Sequence, residues 1–312
     1  MPKNKIINLS GREDRGLFLL GTASQLPTRR RNPSSALFRW REHGFLLDAG
    51  EGTQRQMFRM GLSVADVDHM LISHFHGDHV LGLPGVIQSL SLQTEGHSLR
   101  IIYPLSGQKF LQSLMRSSVY QQNVEIFEEP VASEGQICQV GDIRIFAYKL
   151  KHKTPCWGYF LQEDDKVKFD PEKIEAVGMT NSPLLKKITL ESGVEFEGKV
   201  VTFDMVGEKR RGFRFGYIPD TSACPACDII ASGSDVLLCE ATYLEEDSET
   251  ALENGHLTSK QAALIAARNN VRTLVLTHFS QRYQDREELF LEEAQEVFPN
   301  TIMGEDLMKI YA

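Results

Sequence analysis

Three histidines and an aspartate lie within six positions of the stretch "SHFHGDHVLGLPG": His74, His76, Asp78 and His79. His74 and His76 are two residues apart, a spacing that puts them on one side of an extended or looped backbone but on different sides of a helix. The preceding apolar run "HMLIS" supplies such a backbone, and a glycine turn can direct Asp78 and His79 at a second ion. Because three of the chain's nine histidines fall here, we interpret the stretch as a metal site.

Two metal ions need more ligands than four side chains, so the rest of the chain must supply imidazoles and a bridging carboxylate. Residues that directly follow apolar strand patterns are the candidates, because the carboxyl ends of strands converge on one edge of a layered sheet. Three residues meet this criterion: His152 after "IRIFAYKLK", Asp220 after "RFGYIP" and His278 after "TLVLT". A lone histidine is usually a surface or core residue, but three polar strand ends together favour ligands.

The elements that position these residues are short apolar runs typical of strands, including "GLFLLG", "SALFRW", "LRIIYP" and "DVLLCEAT". In the second half they alternate with helical patterns such as "SKQAALIAARNN" and "REELFLEEAQEVF". The mixture predicts an α/β protein of layered sheets with covering helices, a single domain over residues 1–312. Residues 163–199 are polar and weakly patterned, and the strand patterns "WGYFLQ" and "KVVTFDM" flank them, so we expect an inserted arm or loop there.

Composition excludes several classes of protein. No apolar run reaches the roughly 18 to 20 residues of a membrane helix, and the first residues lack the apolar core of a signal peptide. The net charge of −8 argues against sequence-blind binding of a polyanion, so we expect no DNA partner. We therefore expect a cytoplasmic protein without membrane association.

The five cysteines are odd in number and scattered, which favours reduced thiols over a disulfide framework. Cys224 and Cys227 form one CxxC pair, but a structural zinc would need a second pair nearby. We interpret them as two small apolar residues that open a helix.

In their order along the chain, "SHFHGDHVLGLPG", "GYIPDT", "LLCEAT" and "LTHFSQRY" resemble the motifs of the metallo-β-lactamase superfamily. The segment "LGTASQLPTRRRNPSSALFRW", followed by "FLLDAGEGTQRQM", narrows the resemblance to the ribonuclease Z family of tRNA 3′-processing endonucleases. The resemblance runs from about Leu20 to the C-terminus. It implies an αββα sandwich, in which two mixed sheets lie face to face between outer helices.

The resemblance also implies a ligand set and an activity. His74, His76 and His152 would hold one Zn²⁺, Asp78, His79 and His278 a second, and Asp220 would bridge them. The expected enzyme is a zinc-dependent endoribonuclease that removes the 3′ trailer from precursor tRNA. Imidazole at His76 suits zinc and hydrolysis, whereas diiron redox relatives have a carboxylate there.

Three residues are candidates for proton transfer. Asp78 can serve as both ligand and general base for the attacking water. The carboxylate of Glu240 can orient His256 and keep its imidazole charged, so that His256 protonates the leaving 3′-oxygen. The alternatives are a buried structural carboxylate for Glu240 and a helix-cap neighbour for His256.

Basic side chains are expected to hold the RNA backbone: Arg282, Arg31 in the run "PTRRRN", and Lys186 and Lys187 in the arm, with "GEKRRGFR" as a further cluster. Arginine's planar fork suits phosphate oxygens, and Arg282 follows the predicted ligand His278 by four residues. Solvated turns are the alternative for the two arginine-rich clusters. The arm reads "GMTNSPLLKKI" where many family members have a Gly-Pro-containing tip.

The resemblance further implies a homodimer, in which the arm of one subunit reaches RNA bound by the other. Two alternatives to the tRNA endonuclease remain open at this point. One is another dinuclear-zinc hydrolase of the same fold that acts on small phosphodiesters or on lactam, thioester or sulfate-ester substrates. The other is a non-catalytic RNA-binding relative.

Overall fold

The computed structural model describes residues 5–9, 13–94, 96–189, 191 and 193–312. Its strands are β1 Ile6–Asn8, β2 Arg15–Gly21, β3 Ser35–Trp40, β4 His43–Leu47, β5 His69–Leu71, β6 Ser98–Pro104, β7 Glu125–Val131, β8 Gly135–Val140, β9 Ile143–Leu150, β10 Cys156–Glu163, β11 Lys166–Phe169, β12 Val194–Phe196, β13 Lys199–Val201, β14 Gly207–Arg210, β15 Arg214–Ile218, β16 Val236–Glu240, β17 Thr273–Thr277, β18 Thr301–Met303 and β19 Lys309–Tyr311. Its α-helices are α1 Thr53–Met60, α2 Gly77–Val80, α3 Leu83–Gln93, α4 Gln108–Met115, α5 Pro171–Ala176, α6 Leu184–Ile188, α7 Pro225–Ala231, α8 Ser248–Asn254, α9 Ser259–Arg268 and α10 Glu288–Val297. Within these described residues, every helix is too short or too polar to cross a lipid bilayer.

Two large mixed sheets contain most of the strands. The first has the order β1-β19-β2-β3-β4-β5-β6-β7, and the second has the order β18-β17-β16-β15-β10-β9-β8. In the second sheet β15, β16, β17 and β18 are parallel neighbours. Parallel strands need crossover connections between them, and α7, α9 and α10 lie in these three connections.

The two sheets pack face to face through apolar side chains. The ring of Phe38 on β3 stacks on the ring of Phe215 on β15, with centroids 4.1 Å apart. Helices α1, α3 and α4 contribute buried residues to the core of the first sheet. Helices α7, α9 and α10 do the same for the second sheet. The predicted αββα sandwich is confirmed.

The predicted site residues lie at the ends of neighbouring strands, and the fold thereby places them close together. Asp220 follows β15, Glu240 is the last residue of β16, and His278 follows β17. Because these three strands are parallel and adjacent, their carboxyl ends lie side by side. On the first sheet, His74 follows β5.

A second compact unit comprises Gln139–Arg144 and Gln162–Phe213. It contains the antiparallel pairs β11-β14 and β12-β13. Its own apolar cluster includes Met179, Ile188 and Phe203. The predicted arm 163–199 thus lies within a folded unit that continues to Phe213. Residues 190 and 192 of that range lie outside the described residues.

The pattern "KVVTFDM", predicted to be a strand beside the arm, belongs to this second unit instead. Only Lys199–Val201 is a strand, and it pairs with β12 rather than with either large sheet. The apolar residues of the unit are irregularly spaced, so no helical or strand period indicated a local core.

His69, the first residue of β5, links the stability of the fold to pH. Its ring is buried and stacks on the ring of Phe45, 4.9 Å away. Burial, together with the positive charge of Arg100, lowers the pKa of His69 from 6.5 to about 4. Between pH 6.5 and pH 4, His69 is protonated in the unfolded chain but not in the folded chain. The free energy of unfolding therefore falls as the pH drops from 6.5 to 4.

We therefore expect His69→Leu to remove about 3 kcal/mol of the acid destabilisation seen between pH 7 and pH 4. Urea unfolding of both proteins across that range measures the difference. An identical loss of stability in both would contradict this explanation.

Candidate metal centre

The first group of predicted ligands lies where β5, β9 and β15 end. His76 Nδ1 is 2.9 Å from His74 Nε2 and 3.3 Å from His152 Nε2. Asp220 Oδ2 lies 3.7 Å from His74 Nε2 and 3.8 Å from His152 Nε2. The four donor atoms converge on one point.

The second group contains Asp78, His79 and His278. His79 Nε2 lies 3.2 Å from His278 Nε2 and 3.5 Å from Asp78 Oδ2. The other oxygen of Asp220, Oδ1, is 3.3 Å from His79 Nε2 and 3.2 Å from His278 Nε2. Asp220 therefore directs one oxygen at each group.

The spacing of these donor atoms suits metal coordination better than direct hydrogen bonding between the side chains. Nitrogen and oxygen ligands bound at 2.0–2.1 Å in a tetrahedron are about 3.3 Å apart, which is the separation found in both groups. Asp220 Oδ1 is buried and has no hydrogen-bond partner among the described residues. Burying such an oxygen unpaired is costly, whereas a cation would compensate it. The residues present thus fit a metal cofactor.

Asp48 was missed by the sequence analysis, although it holds the site together. Its fully buried carboxylate accepts hydrogen bonds of 2.7 Å from the backbone N–H and the hydroxyl of Ser73 and from Tyr217. It also lies 2.7 Å from His79 Nδ1. With a proton on Nδ1, the lone pair of His79 Nε2 faces the second group. The signal was present in "FLLDAG", where a carboxylate directly follows a strand.

Other imidazoles are oriented in the same way. His152 Nδ1 lies 2.9 Å from the carbonyl oxygen of Gly255, and His278 Nδ1 lies 2.8 Å from the hydroxyl of Thr242. His278 also has a left-handed backbone, with φ 64°. This conformation costs a non-glycine residue about 1 kcal/mol or more, and such strain clusters at functional sites.

The charges of the site favour ionised carboxylates. Burial opposes the charge of Asp78, but His79 and His278 outweigh it and lower the pKa of Asp78. Burial likewise opposes a charge on His79, yet Asp220, Asp78 and Asp48 raise its pKa well above the ordinary value. In this arrangement the carboxylates attract positive charge to the point where the imidazoles converge.

Glu240 and His256 form a hydrogen-bonded pair beside the donor groups. Glu240 Oε1 lies 3.1 Å from His256 Nδ1, and Glu240 Oε1 also accepts a 2.7 Å bond from the backbone N–H of Thr221. Burial alone would lower the pKa of His256, but the charge of Glu240 and its hydrogen bond raise it to about 9. His256 is therefore positively charged at neutral pH.

The donor groups open into a cleft of about 410 Å³. His76, Asp78, His152, Asp220 and His256 line it, together with Gln25, Gly77, Leu81, Lys153 and Asn254. The backbone N–H of Gln25 donates a 2.8 Å bond to Asp78 Oδ2, and Lys153 donates through Nζ to Asn254. Sequence reasoning named neither Gln25 nor Lys153, since a loop glutamine and a lone lysine carry no distinctive pattern.

The predicted RNA-binding residues differ in their placement. Arg282 is exposed, forms an ion pair of 3.2 Å with Asp247 and lies over the ring of Tyr243. That ring contacts His256, with ring centroids 6.0 Å apart, so Arg282 is close to the cleft. Lys186 and Lys187 are exposed on α6 of the second unit.

Arg31 does not have the placement expected of an RNA-binding residue. It is 5% exposed, and its guanidinium forms bonds of 2.9 and 2.8 Å with the two carboxylate oxygens of Glu287. The remaining nitrogen donates to Thr22 and to the carbonyl oxygen of Gly304. With its donors occupied inside the protein, Arg31 ties distant segments together, and we withdraw its assignment to RNA.

The fold and the paired donor groups are of the metallo-β-lactamase type. Residues 190–279 match the family model "Beta-lactamase superfamily domain", and residues 16–187 match the model "Anti-Pycsar protein Apyc1". Two structures share the fold: human tRNase Z, short form (TM-score 0.66, 23% identity), and the metallo-β-lactamase fold protein YhfI from Bacillus subtilis (TM-score 0.68, 16% identity). They cover 95% and 96% of this chain, which covers 98% and 99% of theirs.

Similarity in sequence extends over nearly the whole chain. Ribonuclease Z of Chlamydia trachomatis serovar L2 is 40% identical over 292 residues, which are 94% of this chain and 95% of that relative. Ribonuclease Z of Streptomyces coelicolor is 43% identical over 276 residues, 88% of this chain and 89% of that relative. The chain belongs to the ribonuclease Z family, and the predicted resemblance is confirmed. Membership makes it an endonuclease that hydrolyses phosphodiester bonds.

Asp48→Asn tests whether Asp48 sets the tautomer and orientation of the His79 imidazole. An amide nitrogen facing His79 Nδ1 would force the proton onto Nε2, so that Nε2 could no longer bind a metal. We expect metal affinity to fall 10- to 100-fold, as measured by competition with a chromophoric chelator.

Tyr217→Phe is the matched control, because it removes one hydrogen bond to Asp48 but leaves the carboxylate facing His79. The control is expected to keep most of the metal affinity. Equal losses in the two variants would contradict the orienting role of Asp48.

Proposed function

We propose that this chain is a zinc-dependent endoribonuclease that removes the 3′ trailer from precursor tRNA. The observation that carries the proposal is Asp220, whose two oxygens face separate donor groups at the base of one cleft. Membership of the ribonuclease Z family supplies the substrate class. The mixed imidazole and carboxylate ligands favour zinc, with one ion in each group.

Two such ions, when bound, would activate a water near neutral pH and neutralise charge on the phosphoryl oxygens. Asp78 is placed to act as general base, since it lines the cleft and is held ionised by His79 and His278. The N–H of Gln25 fixes Asp78 Oδ2 from the side of the cleft. Asp78 would then accept the proton of the attacking water.

The leaving 3′-oxygen needs a proton, and His256 is the group placed to donate it. Its Nδ1 faces Glu240, so its Nε2 is the nitrogen available to a substrate in the cleft. A pKa of about 9 keeps His256 protonated at neutral pH, and Glu240 stabilises that charge. The pair would act as acid and orienting carboxylate.

RNA contact would involve Arg282 beside the cleft and the lysines of the second unit. When RNA binds, a phosphate would replace Asp247 as the partner of Arg282. One charge-assisted bond is then exchanged for another. Lys153, at the cleft itself, can meet a phosphate next to the scissile one. The net charge of −8 requires such local patches, because the chain as a whole repels RNA.

The direct test is to incubate the zinc-loaded chain with a precursor tRNA that carries a 3′ trailer. We expect one cut near the end of the acceptor stem, and no cut by Asp78→Asn at the same metal loading. Hydrolysis of a small phosphodiester without cleavage of the precursor would instead favour the other dinuclear-zinc hydrolases.

His256→Gln tests whether His256 is the general acid. General acid catalysis contributes about 10²- to 10⁴-fold, so kcat for precursor cleavage should fall by that factor while the bound metal is retained. An activated diester with a nitrophenolate leaving group needs no proton, so its hydrolysis should fall much less. Equal losses on the two substrates would assign His256 a structural role.

The role of the second unit in RNA binding can be tested by removing positive charges and by deleting most of the unit. Lys186→Gln with Lys187→Gln should raise KM for precursor tRNA and lower its dependence on salt, with no change for the small diester. Lys199→Gln, an exposed lysine of the same unit, is the matched control.

The structure sets the boundaries of the deletion. The backbone N–H of Glu163 bonds to the carbonyl oxygen of Phe213 at 2.9 Å, so an Asn-Gly turn can replace residues 164–212. The shortened chain should keep small-diester hydrolysis and lose precursor cleavage. Unchanged precursor cleavage would show that the second unit does not serve RNA.

A homodimer and a cytoplasmic location complete the proposal. The dimer rests on the family resemblance, and sedimentation of the purified chain tests it. Five free cysteines suit a reducing compartment, and fractionation of the source cells tests the location.

A further inference from the structure

Cys224 and Cys227 have no part in the mechanism above, yet their sulfur atoms face each other. The two Sγ atoms are 3.6 Å apart at the start of α7. Cys224 is half-buried, whereas Cys227 is buried among the apolar residues that cover the second sheet. One sulfur of the pair is therefore open to solvent and the other is protected.

The two thiols also differ in acidity. The hydrogen bond from the Cys227 thiol, together with the nearby Thr221 hydroxyl and the Cys227 backbone N–H, lowers the pKa of Cys224 to about 5. The same hydrogen bond and burial raise the pKa of Cys227. At neutral pH the outer sulfur is thus a thiolate and the inner sulfur a thiol. A thiolate is the nucleophilic form of cysteine.

We propose that Cys224 and Cys227 form a redox-active dithiol that exchanges with small-molecule disulfides of the oxidised-glutathione class. The Cys224 thiolate attacks one sulfur of the small disulfide, forms a mixed disulfide and releases one small thiolate. Cys227 then loses its proton and attacks Cys224 Sγ, which releases the second small thiolate. The two cysteines are oxidised to one disulfide, and the small disulfide is reduced to two thiolates. These take up the proton released by Cys227 and one proton from the solvent.

The geometry permits this closure without rearrangement of the fold. A disulfide needs sulfur atoms about 2.05 Å apart, so the pair must approach by roughly 1.5 Å. Cys224 is the N-cap of α7 and Cys227 lies in the first turn of that helix, so rotation of the two side chains can supply that movement.

The other three cysteines are poor competitors. Burial raises the pKa of Cys156 and of Cys239, and both thiols are shielded from solvent. Burial and the charge of Glu129 raise the pKa of the half-buried Cys138 to about 11. The reaction should therefore be specific to the CxxC pair.

The test equilibrates the metal-loaded chain in buffers of increasing oxidised-to-reduced glutathione ratio. Free thiols are then alkylated and the peptides are mapped by mass spectrometry. We expect a Cys224–Cys227 disulfide to form while the other three cysteines remain alkylated. A pair that stays alkylated in fully oxidised glutathione, or a reaction that begins at Cys138, would overturn the proposal.

Single variants separate the two roles. Cys227→Ser keeps a hydrogen-bond donor but cannot resolve the adduct, so it should retain one glutathione per chain on Cys224. Cys224→Ser should leave Cys227 unmodified in the folded chain. Equal labelling of the two variants, or none in either, would contradict the assigned order of attack.

The pH dependence of alkylation gives an independent measurement on the wild-type chain. The rate at Cys224 should be half-maximal near pH 5, and Cys227→Ala, which lacks the donor, should move that midpoint upward. A midpoint near that of a free cysteine in the wild-type chain would overturn the proposal, because Cys224 would then lack its reactivity.

Discussion

The crowding of seven nitrogen and oxygen donor side chains into one site is the constraint on which the structure of the site depends. Donor atoms 2.9 to 3.8 Å apart, with few protons between them, are unfavourable neighbours in a buried place. The chain orients three of the imidazoles, those of His79, His152 and His278, by binding the nitrogen that faces away from the donor groups to an internal acceptor or hydroxyl. Asp48, the carbonyl of Gly255 and the hydroxyl of Thr242 serve in this way.

The layered fold makes this crowding possible. The parallel strands β15, β16 and β17 end side by side, so consecutive strand ends place Asp220, Glu240 and His278 close together. The facing sheet delivers the "HFHGDH" loop across the same edge. The stacked rings of Phe38 and Phe215 are one of the contacts between the two sheets.

Much of this arrangement was predictable because it depends on local patterns. Strand-terminal His152, Asp220 and His278 carry a signal that is visible in a few adjacent residues. Asp48 was overlooked, and Arg31 was assigned to RNA, for the opposite reason. Their roles are set by partners far along the chain, His79 and Tyr217 for the aspartate and Glu287 for the arginine. Likewise, the second unit builds its core from irregularly spaced side chains, which periodicity cannot detect.

In the proposed site, Asp220 would bridge two zinc ions, one in each donor group. An anomalous-difference map from crystals of the zinc-loaded chain, collected on both sides of the zinc absorption edge, tests it most directly. We expect two zinc peaks about 3.5 to 4 Å apart, with one oxygen of Asp220 directed at each. A single peak, or two peaks not joined by Asp220, would contradict it.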